Sequence, residues 1–238
     1  ALVDDLGLIR EVTDEVGNKT CHAFDAMGRL TQVTYPSDTQ LRVCDTSRWN
    51  ALTRTFAPSP NAELGLPAGH WKETVATGNG VQVTHYDALW RPLVVERFDG
   101  TNATTKAATL SQAVTTYAPQ GGVAFQSYPT TAVSNYATVA TGTRITYDAL
   151  GRPLYADQDS ELGLLRTTYD YQAGFLTKVT RPDGSSTTTS YQAFDQPSTD
   201  QVRGIAFPEG LASDIPRDVF GKPIYITHRN ADRSVVVQ

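Results

Sequence analysis

One signature returns in register along this chain and constrains its fold more than any other feature. Tyr147-Asp148-Ala149-Leu150-Gly151-Arg152-Pro153-Leu154 is echoed by Phe24-Asp25-Ala26-Met27-Gly28-Arg29-Leu30 and by Tyr86-Asp87-Ala88-Leu89-Trp90-Arg91-Pro92-Leu93. A fainter copy is Arg217-Asp218-Val219-Phe220-Gly221-Lys222-Pro223-Ile224. Degenerate copies are Tyr117-Ala118-Pro119-Gln120-Gly121 and Tyr191-Gln192-Ala193-Phe194-Asp195-Gln196-Pro197. Tyr169-Asp170-Tyr171-Gln172-Ala173-Gly174-Phe175-Leu176 carries the signal with one extra residue. The anchors fall near 24, 44, 86, 117, 147, 169, 191 and 217, with two successive intervals of 22 residues after 147. A second block, Gly7-Leu8-Ile9-Arg10-Glu11-Val12-Thr13 then Gly17, matches Gly174-Phe175-Leu176-Thr177-Lys178-Val179-Thr180 then Gly184. A fixed period of this size marks a repeat architecture in which each unit buries its faces against its neighbours.

Residue types dictate what one unit does. Thr143-Arg144-Ile145-Thr146-Tyr147 reads as a strand, with side chains alternating between faces. An aspartate then starts a turn by accepting backbone N–H groups just ahead of it, so Asp25, Asp87, Asp148, Asp170 and Asp218 are expected as turn caps. Glycine supplies a positive φ without a Cβ clash, which assigns Gly28, Gly121, Gly151, Gly174 and Gly221 to the turn. The chain then returns as a second strand, and Pro182-Asp183-Gly184 turns it at the other end. The expected fold is all-β: antiparallel hairpins in one repeat region over residues 1–238. Asp195 in place of glycine tolerates the left-handed region; Trp90 does not fit it, so a different turn is expected there. Longer insertions near 55–80 and 99–112 should hold extended hairpins or loops, and Ala103–Ala113 offers only a weak helical pattern. The chain starts inside one repeat and stops soon after another, as a piece of a larger protein would.

Composition agrees and excludes several classes. Thirty-two Thr, 11 Tyr, 18 Gly and 13 Pro in 238 residues suit pleated strands with many turns. The net charge is -5 and Lys and Arg do not cluster, which argues against nucleic-acid binding. No apolar run approaches the ~18 residues of a membrane-spanning helix, and Val235–Val237 is far too short.

Candidate chemistry is sparse. Cys21 and Cys44 lack metal-ligand spacing and read as small buried residues, with a bridge as the alternative. Cys21 stands three residues before its anchor and Cys44 on its own, which puts them on opposite faces and predicts no disulfide unless a bulge intervenes. His22, His70, His85 and His228 are scattered without a ligand motif and carry no expected metal or catalytic role. Asp157, Asp159 and Glu161 read as a solvated hairpin tip rather than an acid–base pair or a calcium loop. The repeated aspartates are turn caps, because an active site occurs once. Gly-x-Ser-x-Gly is absent, and Gly78-Asn79-Gly80 is a hairpin turn. Trp49, Trp71 and Trp90 could stack on sugars, against the plainer reading that they pack a sheet face. No cofactor is expected.

The Tyr-Asp-x-x-Gly-Arg-x-Leu pattern, running from Gly7 to about Ile226, resembles the RHS/YD-repeat family. The resemblance implies a strip of antiparallel hairpins curving into a spiralling sheet, a segment of a hollow shell. In bacterial toxin-complex shell components, RHS toxins and teneurins, such a shell encloses a polypeptide or forms a rigid surface scaffold. The resemblance further implies a secreted or cell-surface bacterial protein, with the rest of the same protein or a partner shell subunit completing the wall and a toxin polypeptide as cargo. No enzyme activity is expected of this stretch: the Asp-Pro-containing autocleavage segment of many bacterial members has no counterpart here. A surface carbohydrate-binding module and a polysaccharide-acting enzyme on a repeat scaffold are the alternatives.

Overall fold

Within each compact unit, strands that follow one another in the chain pair in the sheet. The computed structural model describes residues 1–193 and 198–237. The degenerate repeat from Phe194 to Pro197, with Asp195, lies outside the described residues. Two compact units are present, residues 1–116 with 126–141 and residues 117–125 with 142–238.

In the first unit β1 (Leu2–Val3), β2 (Ile9–Thr13), β3 (Lys19–Phe24), β4 (Leu30–Thr34), β5 (Leu52–Pro58), β6 (Trp71–Thr77), β7 (Gly80–Tyr86), β8 (Pro92–Asp99) and β9 (Ser111–Tyr117) run as an antiparallel meander. The next strand is β10 (Val123–Ser127), whose Ser127 Oγ accepts from Val114 N–H at 2.8 Å. In the second unit the same plan holds for β11 (Gly142–Tyr147), β12 (Pro153–Ser160), β13 (Gly163–Gln172), β14 (Leu176–Thr180), β15 (Ser186–Tyr191), β16 (Val202–Ala206), β17 (Ala212–Asp214), β18 (Thr227–Arg229) and β19 (Val235–Val237). The structure is all-β and antiparallel apart from short helical turns. The insertion at 99–112 forms the longest of these, α1 (Ala103–Thr109), capped by the Asn102 side chain on Thr105 N–H.

One turn geometry joins many of these strands. At Asp148 the backbone N–H donates to Arg152 C=O at 2.9 Å, and Gly151 N–H donates back to Asp148 C=O at 3.0 Å. This is a type I turn closed by a residue in the left-handed region, and Gly151 has φ 76°. Asp148 Oδ1 accepts from Leu150 and Arg152 N–H, and Oδ2 accepts from Arg152 Nε at 2.7 Å. The same bonds recur at Asp25 with Gly28 and Arg29, and the backbone bonds with the Oδ1 acceptor recur at Asp218 with Gly221 and Lys222. Ala118 and Gly121 keep the backbone bonds without the carboxylate. Asp4 with Gly7 and Asp14 with Gly17 add two copies that the signature did not reveal. The signature arginine also has a place: the Arg29 guanidinium lies 5.3 Å from the Phe56 ring, and that of Arg152 lies 4.1 Å from the Tyr171 ring, each on the adjoining strand.

Three expectations are corrected. Trp90 makes the ordinary turn and not a different one: its φ is 62°, its N–H donates to Asp87 C=O at 3.1 Å, and Asp87 caps Leu89 and Arg91. Asp170 is no turn cap. It stands inside β13 opposite Lys178, and the strand runs on to Gln172, which pairs with Leu176 around Gly174 (φ 82°) and Phe175 (φ 59°). The extra residue of that unit sets Asp170 one position too far back to reach the turn amides, and its Oδ2 accepts from Gln172 Nε2 instead.

The third correction concerns the cysteines: Cys21 and Cys44 form a disulfide, with Cα atoms 6.1 Å apart. Counting from anchors failed because pairing sets the face. Cys21 pairs with Thr34, Cys44 bridges to Pro36, and Thr34 and Pro36 share a face two residues apart. A register shift between Ala23 and Phe24 breaks the parity from the anchor.

Candidate functional site

Strand register brings five polar residues of the first unit, His70, Lys72, His85, Glu96 and Gln112, onto one face. The two-residue turn Gly78-Asn79 sets Thr77 opposite Gly80, and hence Lys72 opposite His85. His70 lies two residues beyond Lys72, on the same face. On the other side of β7, Val83 pairs with Glu96 and His85 with Val94, while β9 sets Gln112 against Glu96 and Val114 against Val94. His85, Val94 and Val114 are 0% exposed. Burying each valine contributes about 1.5–3 kcal/mol.

Residues 59–70 fold over this face. Ser59 N–H donates to His70 C=O at 2.7 Å and Gly69 N–H to Ser59 C=O at 2.8 Å, which pinches the loop at its base. Within it, Glu63 and Leu66 exchange backbone bonds around Leu64 and Gly65, both at positive φ. Tyr136 N–H donates to Leu64 C=O, Val133 N–H to Gln112 Oε1, and Thr130 bridges Gln112. Residues 130–136 thus lie over the network.

The polar groups form a chain of contacts. His70 Nδ1 faces Pro67 C=O at 2.8 Å, His70 Nε2 faces His85 Nδ1 at 3.0 Å, and His85 Nε2 faces Glu96 Oε2 at 3.1 Å. Gln112 Nε2 donates to Glu96 Oε1 at 2.7 Å. Glu63 Oε1 accepts from Ser59 Oγ at 2.6 Å and Lys72 Nζ at 2.9 Å, and it lies 3.6 Å from His70 Nε2 and 4.0 Å from His85 Nδ1. Hydrogen bonding from His85 holds the Glu96 carboxyl below the usual glutamate range against the opposing effect of burial. Burial pushes Glu63 up, but the bonds from Ser59 and Lys72 outweigh it and leave Glu63 lowered. Among the described residues, Glu63, His70 and His85 form a set with three possible metal-ligand atoms. His70 also lines a cleft of about 580 Å³ with Trp71, Tyr86 and Trp90.

Scattered in sequence, two of the four histidines are therefore partners in space. Linear spacing hides them, because Glu63 and His70 come from a loop and His85 and Glu96 from separate strands. The hairpin turn at Gly78-Asn79 is the signal that would have found the pair. His22 stands apart on β3, and His228 Nδ1 meets Ser213 Oγ at 2.8 Å in the second unit.

The other candidates separate. Phe56 stacks on Trp71 at 5.0 Å, and Trp90 lies 5.4 Å from Trp71 and 5.3 Å from Phe56, on the face opposite His85. Trp49, half exposed, lies beside Tyr35, Pro36 and Arg48 in a different hollow. Asp157 and Asp159 sit within β12, paired with Arg166 at 2.7 Å and Arg144 at 3.0 Å; only Glu161 stands at the hairpin tip.

An antiparallel meander with a recurring Asp-capped, left-handed turn defines a β-hairpin repeat protein. Residues 3–40 match the family model described as RHS Repeat. The Asp25 turn lies inside that span, and the same bonds recur at Asp148 outside it. No curated protein matches. A solved structure of a mutant Photorhabdus luminescens Tc holotoxin pore aligns at 15% identity and a TM-score of 0.39, over 98% of this chain and 15% of that one. The chain spans about 15% of the length of that neighbour.

Proposed function

We propose that this chain is wall: a non-enzymatic RHS/YD-repeat segment of an exported bacterial protein, built into a shell that encloses or displays a toxin or another partner polypeptide. The observation that carries the reading is the recurrence of one Asp-capped turn at Asp25, Asp87, Asp148 and Asp218. Repetition of a structural device serves an extended surface, whereas a catalytic group would be needed once. The Cys21–Cys44 disulfide supports export, because such bonds persist in oxidising compartments. Exposed strand edges are normally covered or closed, which supports completion by the rest of the same protein or by a partner shell subunit. The test is limited proteolysis of the full-length parent protein. A partner polypeptide that resists protease until the wall is denatured is the expected result; digestion of that polypeptide at the rate of its free form overturns the reading.

A surface carbohydrate-binding role has one observation in its favour, the cluster of Phe56, Trp71 and Trp90. Glycan-array binding that vanishes in Trp71→Ala would establish it. Retention of binding in that variant would remove the cluster from consideration.

A further inference from the structure

Two ring nitrogens of the histidine pair face each other at 3.0 Å. Three contacts run in series: Pro67 C=O to His70 Nδ1, His70 Nε2 to His85 Nδ1, and His85 Nε2 to Glu96 Oε2. Each needs one hydrogen between its atoms. A carbonyl oxygen only accepts, so His70 Nδ1 carries a hydrogen. Glu96 as a carboxylate only accepts as well, so His85 Nε2 carries the other. Two neutral imidazoles have no third hydrogen to give. With both imidazoles neutral and both outer contacts made, His70 Nε2 and His85 Nδ1 present two lone pairs 3.0 Å apart, beside a His85 that is 0% exposed.

A third lone pair converges on the same point. Glu63 Oε1 stands 3.6 Å from His70 Nε2 and 4.0 Å from His85 Nδ1. Two ligands at zinc distances of ~2.0–2.1 Å in a tetrahedron are about 3.3 Å apart, and the three observed separations of 3.0, 3.6 and 4.0 Å bracket that spacing. A hydrogen shared by two nitrogens would need no such third group. The outer nitrogens are oriented as metal-bound imidazoles usually are, one by a carboxylate and one by a backbone carbonyl. The carboxylate is in turn fixed by Gln112 Nε2 at 2.7 Å.

We propose that Glu63, His70 and His85 form a divalent transition-metal site of zinc type, bound through Oε1, Nε2 and Nδ1. The mixed imidazole–carboxylate set suits Zn²⁺ over Mg²⁺ or Ca²⁺. Ligands from a loop and from β7 make the site a clip that ties residues 59–70 to the sheet. Lys72 Nζ, now on Glu63 Oε1, shares that carboxylate with the ion.

The test uses the whole 238-residue chain, purified metal-free and titrated with Zn²⁺ near neutral pH, with circular dichroism as the check on folding. One equivalent retained through gel filtration, a raised melting temperature reversed by chelator, and a four-coordinate absorption spectrum with Co²⁺ are expected. His70→Gln should abolish stoichiometric retention, and Glu63→Gln, a change at a half-buried surface loop, should weaken it while the fold stays intact. Glu96→Gln, which alters only the orienting partner, should lower affinity about 10–100-fold. A folded chain that retains no Zn²⁺ overturns the proposal. Retention unchanged in folded Glu63→Gln and His70→Gln overturns it too.

Discussion

The Trp90 indole packs 5.3 Å from the Phe56 ring from a turn position where Asp25 and Asp148 units carry glycine. A left-handed backbone costs a residue with a Cβ about 1–2 kcal/mol, while each aromatic contact of this kind contributes about 0.5–1.5 kcal/mol. The contacts to Phe56 and Trp71 together offset the strain. Trp90→Gly removes both terms and Trp90→Ala removes only the favourable one. Urea unfolding should therefore rank wild type above Trp90→Gly, and Trp90→Gly above Trp90→Ala by about 1 kcal/mol. An alanine variant as stable as the glycine variant would refute the strain account.

Acid sensitivity follows from the turn caps. The backbone N–H of Arg29 on Asp25, and that of Arg152 on Asp148, hold both carboxyls below their ordinary value of 3.8. A depressed folded-state pKa favours the ionised form on folding, so the stabilisation is complete above about 3.8 and fades as pH falls below it. Denaturation midpoints should be level through neutral pH with respect to these groups and decline below about pH 4. Asp25→Asn with Asp148→Asn should make that decline shallower; an identical acid limb in the double variant would count against it.

Reduction should loosen the first unit. The Cys21–Cys44 bond closes a loop with a sequence separation of 23, worth about 3 kcal/mol of denatured-state entropy. Cys44→Ser should lower stability by roughly that amount, and hydrogen exchange should quicken in residues 36–50. Free thiols on the native, unreduced chain would show that the bond does not form.

Gly65 holds the turn that carries Glu63. Its φ is +83°, and a Cβ there would run into the Asn135 side chain. Gly65→Ala should cost at least about 1 kcal/mol and raise exchange at residues 130–136, because Tyr136 N–H bonds to Leu64 C=O. Unaltered exchange in that segment would separate the two loops.

Much of this fold is written in local chemistry. Asp25, Gly28 and Arg29 lie within five residues and make their turn by themselves, so sequence alone exposes it. Asp170 misled because an extra residue shifts the turn while leaving the letters in place, and side-chain reach decides what letters cannot. Trp90 misled because its compensation comes from Phe56 and Trp71, on other strands. Cys44 depended on a single bridge to Pro36. The Glu63–His70–His85 group was the least legible: it arises only when a loop folds back over two hairpins.

Pairing between successive strands lets β1 to β9 form in the order in which the chain is made, as domains generally do during synthesis. The layer around His85 does not follow that order. Residues 130–136, made after every strand of the layer, reach back to Gln112 and Leu64. The contacts of the first unit that are made last in chain order are therefore those of Val133 to Gln112 and Tyr136 to Leu64, which tie the end of the unit to its middle.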